Sequence, residues 1–369
     1  MRYALVIFST LVMPCLGQQS LASLRWLDAR QLTVEGQAWT DVAAPFDRLP
    51  ARAQTIVREP VWDLSRDSAG LSVRFVTDAP AISARWRLRK TSLALPHMPA
   101  TGVSGLDLYV RLPGGWHWIA NGRPKEVSNE QILFDKWPGG SREYLLYVPL
   151  YNGIESLEIG VPPDAGLQPA PAYPKRIRPL LFYGSSITQG GCASRPGMAY
   201  PSIIGRKLGL PIVNLGFSGN GKSEPEMAKL LAELDPAVYV YDSLPNLDLR
   251  EAQERIEPFL RTLRQAHPKT PIVLVENVRY TNLQFSEERG KLVDGKNKIL
   301  KTVYDKFRKE GDRNVFYVPS DNLLGSDGEA TVDGTHPTDL GFTRMAEAIG
   351  KVLRSAVTAP QGVPSSSAR

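Results

Sequence analysis

Two short segments gather residue types that can do chemistry. Gly184-Ser185-Ser186-Ile187-Thr188-Gln189-Gly190 places serines on a glycine-flanked turn at the end of an apolar run. Asp333-Gly334-Thr335-His336-Pro337 places a carboxylate three residues before a histidine. A serine hydroxyl is a poor nucleophile at neutral pH until a base takes its proton, and imidazole is the usual base. After residue 160 the chain holds two histidines, His267 and His336. His267 lies in Gln-Ala-His-Pro, which reads as a helix end at the surface, so His336 is the candidate base. A short loop can fold Asp333 onto the Nδ1 proton of His336, fixing the tautomer and stabilising the imidazolium. Each fragment also has a plain structural reading, since Ser-Ser-x-Thr suits a helix cap and Asp-x-x-His arises easily by chance.

These groups work only if a fold brings them to one place. Short apolar runs at 180–183, 212–215, 238–241, 272–275 and 315–318 read as buried strands, with amphipathic runs between them that read as helices. The last, Phe342, Met345, Ile349, Val352 and Leu353, follows Thr338, a residue able to cap it. Strand–helix alternation of this kind predicts a parallel five-stranded sheet covered on both faces, a flavodoxin-like α/β domain over residues 180–356. In such a sheet reactive groups collect at the carboxyl ends of the strands. The serine turn follows the first strand, Asn214-Leu215-Gly216-Phe217-Ser218-Gly219-Asn220-Gly221 the second, and Asp242-Ser243-Leu244-Pro245-Asn246 the third. The Asp333–His336 loop precedes the last helix.

The N-terminal half follows a different rule. Residues 24–161 alternate apolar and polar with period two, as in Ile82, Ala84, Trp86 and Leu88 against Ser83, Arg85, Arg87 and Arg89. This predicts an antiparallel β-sandwich. All seven tryptophans fall here, and Trp116 and Trp118 share one strand face. The expectation is that they fill the sandwich core, with a sugar-stacking platform as the other reading. The sandwich is expected to pack on the catalytic half and form part of its cleft rim. The Pro/Ala-rich stretch 162–179 reads as an interdomain linker, and 357–369 as a disordered tail.

Bulk properties narrow the function classes. Arg2 followed by an apolar run at 4–13, too short to span a bilayer, reads as a signal peptide over 1–17. It implies a secreted or periplasmic protein with no membrane span after cleavage. Its removal leaves Cys192 as the sole cysteine, so no internal disulfide can form; Cys192 reads as a small packing residue. The net charge of +6 carries no dense Lys/Arg block, which argues against a nucleic-acid partner. Four histidines scattered along the chain argue against a metal site.

With these residues in hand, the catalytic half resembles the SGNH (GDSL-like) hydrolase superfamily across roughly residues 178–355. The resemblance implies that Ser186 is the nucleophile, with His336 and Asp333 completing its triad. It also implies an oxyanion hole made by the N–H groups of Ser186 and Gly219 and the side-chain amide of Asn246. Two departures stand out: Ser185 occupies a position where the family usually has Asp, and Leu244-Pro245-Asn246 replaces Gly-x-Asn. Gly105-Leu106-Asp107-Leu108-Tyr109 is similar to the Gly-x-Asp-Leu-Tyr motif of sandwiches that precede a subgroup of such hydrolases, and the Gly191–Gly197 segment fits the same subgroup. The resemblance implies an esterase working through an acyl-enzyme without metal or organic cofactor. The expected substrate is an ester, taken as O-acetyl groups of polysaccharide. A lipid or small-ester acylhydrolase and a non-catalytic carbohydrate-binding protein are the alternatives.

Overall fold

The computed structural model describes residues 23–358; the expected signal peptide and the tail from residue 359 lie outside them. Ten strands occupy the N-terminal half: β1 (Arg25–Asp28), β2 (Thr33–Glu35), β3 (Ser72–Thr77), β4 (Ile82–Leu88), β5 (Leu106–Leu112), β6 (Gly115–Gly122), β7 (Ser128–Phe134), β8 (Arg142–Tyr147), β9 (Ile154–Val161) and β10 (Leu167–Pro169). One antiparallel sheet runs β1-β9-β4-β7, and the other runs β10-β3-β8-β5-β6 with β2 added to β3. Period-two patterning does the expected work along β4. Ile82, Ala84, Trp86 and Leu88 join the apolar core between the sheets, while Arg85 and Arg87 pair with Glu158 and Glu155 on β9.

Three expectations need correction. The stretch 162–179 is not linker throughout, because Leu167–Pro169 pairs with β3. Its composition reads as loop, yet an edge strand tolerates proline, and β3 offers unpaired backbone groups there. The last helix, Asp339–Thr358, continues through 357–358, two residues whose composition reads as the start of the tail. Trp116 and Trp118 do not fill the sandwich core. Register pairs them with Arg111 and Tyr109, which place them on the outer face of the sheet, and Trp118 is 47% exposed.

The C-terminal half carries β11 (Leu180–Gly184), β12 (Ile212–Gly216), β13 (Val238–Asp242), β14 (Ile272–Val275) and β15 (Val315–Val318). They form a parallel sheet in the order β12-β11-β13-β14-β15, which is the doubly wound arrangement expected. Side chains alternate between its faces. Leu181, Tyr183, Leu215, Tyr241 and Leu274 pack under the helices Pro225–Ala232, Leu249–Ala266 and Glu287–Lys309. Leu180, Phe182, Val240 and Val273 pack under Tyr200–Leu208 and Asp339–Thr358.

Both of these cores recruit the N-terminal half. Trp39, Leu49, Val61 and Trp62 complete the first, and Ala69, Met98, Val103 and Leu150 complete the second. The outer sheet face adds a polar tie through the motif at 105–109. Asp107, fully buried, accepts from Arg195 (2.7 Å), from the Gly197 N–H (2.8 Å) and from the Trp118 indole N–H (2.7 Å). Tyr109 accepts from the same Arg195 at 2.6 Å, and Arg206 stacks 4.2 Å from its ring. Burial pushes the Asp107 carboxyl up, and Arg195 opposes that push.

Such shared cores predict that residues 175–369 expressed alone aggregate or lose most of their activity, since apolar surface on both faces of the sheet is left bare. Solubility and turnover of that fragment on a small acetyl ester are the measurement; a soluble, fully active fragment overturns the account.

Candidate active site

The turn after β11 settles which serine faces out. Ser185 is the N-cap of the short helix Ser186–Gln189, its Oγ accepting from the Ile187 N–H at 3.2 Å. Serine and aspartate are both strong N-caps, so Ser185 can do the turn-shaping work of the usual Asp. Ser186 opens the helix, where a backbone N–H has no carbonyl partner within the helix. Its Oγ lies 3.0 Å from His336 Nε2, and the residue is 7% exposed.

The base is held by its own loop. His336 Nδ1 lies 2.8 Å from Asp333 Oδ2, while the N–H groups of Thr335 and His336 both donate to Asp333 Oδ1. Burial opposes charge on Asp333, but the hydrogen bonds from His336 and Thr335 prevail and hold its carboxyl down to about 2. Gly334 makes the loop possible at φ +83°, a backbone state that disfavours side chains. A Cβ there would also meet the Asn282 amide at 2.4 Å.

The loops after β12 and β13 supply donors. Gly219 sits at φ +69° with open space around its Cβ position, and its N–H donates to no group among the described residues. Asn246 ends a short turn, Leu244–Asn246, and its Oδ1 accepts from the Gly221 N–H at 3.1 Å. That bond leaves the Asn246 Nδ2 free to donate. Lys296 steadies the turn from beneath through the Leu244 carbonyl (2.9 Å). The structure thus brings Ser186, His336 and Asp333 into one relay, and the loops carrying Gly219 and Asn246 into direct contact.

Under the turn lies a fully buried carboxyl at the end of β13. Asp242 Oδ2 accepts from Thr188 Oγ1 and from the Tyr200 hydroxyl, both at 2.9 Å, while its Oδ1 has no partner among the described residues. Burial dominates those two bonds and pushes the carboxyl up to about 7.

Sequence reasoning missed the groups that the N-terminal half contributes. The Tyr151 hydroxyl donates to the Ser186 carbonyl at 3.2 Å, and the His97 ring lies 5.5 Å from the His336 ring. Neither sits in a patterned segment, so no local signal pointed to them. Two of the four histidines also come together with Cys192. His97, Cys192 and His336 each offer a ligand atom within 4.8 Å of the others, with Cys192 at φ +74°. Both ring nitrogens of His336 are already engaged, and burial, with the Asp333 charge, pushes the Cys192 thiol up to about 12. The set therefore fits a metal poorly while the relay is intact.

Comparison with known proteins agrees with this architecture. Residues 177–354 match the GDSL-like lipase/acylhydrolase family, and residues 24–167 match the N-terminus of SGNH-hydrolase-type esterases. A solved structure from Bacteroides ovatus ATCC 8483, described as a GDSL-like lipase, is 37% identical over 90% of this chain and 98% of its own, with a TM-score of 0.85. The chain belongs to the GDSL-like lipase/acylhydrolase family and is an ester hydrolase of the SGNH type. Two more distant structures share the fold. The salicylyl-acyltransferase SsfX3 of a tetracycline biosynthetic pathway is 20% identical over 93% of this chain and 100% of its own (TM-score 0.74). An acetyl xylan esterase, Est2A, from Butyrivibrio proteoclasticus is 14% identical over 90% and 98% (TM-score 0.55). No match was found among curated proteins.

Asp242 makes a pH prediction with a definite sign. Its folded-state value near 7 exceeds the ordinary 3.8, so the folded protein keeps a proton that the unfolded chain gives up. The stability from this group is full below pH ~4, is lost as pH rises toward 7, and amounts to about 4 kcal/mol at most. Asp242→Asn mimics the neutral acid and removes that dependence. Urea midpoints at pH 5 and pH 8 should show the variant gaining on the wild type as pH rises, and parallel pH profiles would sink the assignment.

Proposed function

We propose that this protein is an exported serine esterase that removes O-acetyl groups from polysaccharide through an acyl-enzyme on Ser186. The observation that carries the reading is the relay from Ser186 Oγ to His336 Nε2 at 3.0 Å and from His336 Nδ1 to Asp333 Oδ2 at 2.8 Å. In the proposed reaction His336 takes the Ser186 proton as Oγ attacks the ester carbonyl. The charge that develops on the carbonyl oxygen is held by the N–H groups of Ser186 and Gly219 and by Asn246 Nδ2. Collapse of the intermediate expels the alcohol, which His336 protonates, and water then attacks the acyl-enzyme by the same route in reverse. Asp333, held ionised far below neutral pH, fixes the His336 tautomer throughout and balances the imidazolium.

An acetyl group asks for little room on the acyl side. The cavity lined by Asn246 sets Lys222, Asp248, Glu251, Arg289 and Lys296 among apolar side chains, and those charges suit a sugar better than a long acyl chain. The signal peptide read at residues 1–17 supports a secreted or periplasmic enzyme, where such a polymer is met.

Ser186→Ala should lower turnover of p-nitrophenyl acetate by about 10³-fold or more with the melting temperature unchanged. If Ser185→Ala abolishes turnover and Ser186→Ala does not, the nucleophile is misassigned. Asn246→Ala should reduce kcat by roughly 10²–10³-fold and change KM little, because its amide acts on developing charge; a loss confined to KM contradicts an oxyanion role. Acetate release from a panel of acetylated polysaccharides, set against esters of increasing chain length, separates a sugar deacetylase from a lipid or small-ester acylhydrolase. Polymer binding without any turnover would instead favour a carbohydrate-binding protein.

A further inference from the structure

Beside the Asn246 amide the molecular surface sinks into a cavity of about 330 Å³, a volume in the range of small-ligand sites. Its charged lining is unevenly paired. Lys222 is matched by Glu251 at 3.1 Å, and Glu251 is shared with Arg255 at 3.3 Å. Asp248 caps the helix Leu249–Ala266 through the Glu251 N–H. Two cations remain, Arg289 and Lys296, and neither meets a carboxylate within ion-pair distance among the described residues.

Arg289 is half-buried and spends its donors on neutral acceptors, Asn282 Oδ1 at 3.2 Å and Thr335 Oγ1 at 2.9 Å, with the Tyr280 ring 4.7 Å from its guanidinium. Thr335 adjoins His336, so this charge, carried by the helix Glu287–Lys309, is bonded to the loop that holds the base. Lys296, 2% exposed, is bonded among the described residues only to the Leu244 carbonyl, in the turn that ends at Asn246. Burial lowers its pKa to about 8, against the opposing pull of Asp248, so it stays mostly charged at neutral pH. Many other arginines in the chain end on a carboxylate, Arg74, Arg195, Arg264 and Arg344 among them. A partly desolvated guanidinium that lacks an anion is a ready partner for one, and its planar fork suits a carboxylate in particular.

We propose that this cavity is a subsite for a carboxylate borne by the substrate, with Arg289 as its main partner and Lys296 reinforcing the field from below. The inference rests on the deacetylase reading above. An acetyl group carries no charge, so the carboxylate must belong to the alcohol side, and the substrate class is an acetylated sugar bearing or adjoining a uronic acid. Arg289 then sets specificity by holding the acidic sugar while its ester carbonyl faces Ser186 and Asn246.

The test compares kcat/KM for an acetylated uronic-acid oligosaccharide with that for its neutral acetylated counterpart, using the whole enzyme at low salt. The wild type should favour the acidic substrate by about tenfold or more, the order of one charge-assisted contact. Arg289→Gln should bring the ratio close to one, Arg289→Lys should keep much of it, and 0.5 M salt (roughly a 4 Å screening length) should compress it. A ratio near one in the wild type overturns the subsite, as does an equal loss on both substrates in Arg289→Gln with no rescue by Lys. Calorimetric binding of the deacetylated acidic oligosaccharide to Ser186→Ala reads the subsite without turnover. Selective binding with no ester turnover sinks the esterase reading alone, and turnover without selectivity sinks the subsite alone.

Discussion

At the carboxyl end of β11 the backbone of Gly184 is pressed between two neighbouring loops. A Cβ on Gly184 would stand 2.1 Å from Thr188 Oγ1 and 2.3 Å from the Asp242 carbonyl oxygen. One on Gly221 would stand 2.0 Å from the Gly184 oxygen, and one on Gly216 would stand 2.2 Å from the Gln189 nitrogen. No side chain fits at any of the three, so main chain meets main chain across three adjacent strand ends. The Gly184 carbonyl accepts from the Phe217 N–H at 2.9 Å, which ties the second loop to the nucleophile turn. The third is tied in by the Asn246–Gly221 bond and by a hydrogen bond from Ser243 Oγ to the Gly221 carbonyl. The loops that carry Ser186, Gly219 and Asn246 are held against one another, because they cannot move apart without breaking these contacts. Preorganisation of that kind is what an oxyanion site requires, since donors that must reorient during the reaction lose much of their benefit.

The relay has a second support, outside the parallel sheet. The N-terminal half closes both of that sheet's cores and then reaches over the site, where Tyr151 binds the Ser186 carbonyl and His97 faces His336. A tethered accessory module would leave the two sheet faces with apolar residues bare to water. Burial across the seam is worth roughly 25 cal/mol for each Å² of apolar surface removed from water, which favours the two halves remaining packed together.

How far the chain could be read in advance follows from how local each signal is. The parallel sheet was readable because each strand is a short apolar run followed by a helical period, and the His336–Asp333 pair because both residues share one loop. Ser185 and Ser186 were harder to separate. Adjacent serines look alike in sequence, and only the capping bond to Ile187 turns one inward. The strand at 167–169 was hidden because its pairing partner, β3, lies some ninety residues earlier and its own composition says loop. Alternation tells which residues share a face, not which face is inner, so it leaves Trp116 and Trp118 unplaced. Cross-strand register with Tyr109 and Arg111 decides that, and a bulge beside Leu108 shifts it. Arg289, His97 and Tyr151 had no signal at all, since their meaning lies in what is absent or distant in the chain.

Apolar contact alone does not say how the two halves register, because it is non-directional and tolerates sliding. Buried charge does. Arg48, 1% exposed, donates to the carbonyls of Asn214 (3.1 Å) and Gly216 (2.7 Å) in β12, and to those of Leu64 (2.6 Å) and Asp67 (2.7 Å) on its own side. Burial lowers its pKa to about 10, which still leaves it cationic. Asp107 makes the corresponding tie on the far edge through Arg195 and the Gly197 N–H. A slip of even a few ångströms would strand a guanidinium and a carboxylate without partners, a penalty of several kcal/mol for each. Such groups add little net stability over a well-packed apolar seam, so their value lies in permitting one alignment. That alignment is the one in which Tyr151 and His97 meet the serine turn, which makes the motif at 105–109, remote from the nucleophile in sequence, part of how the cleft is set.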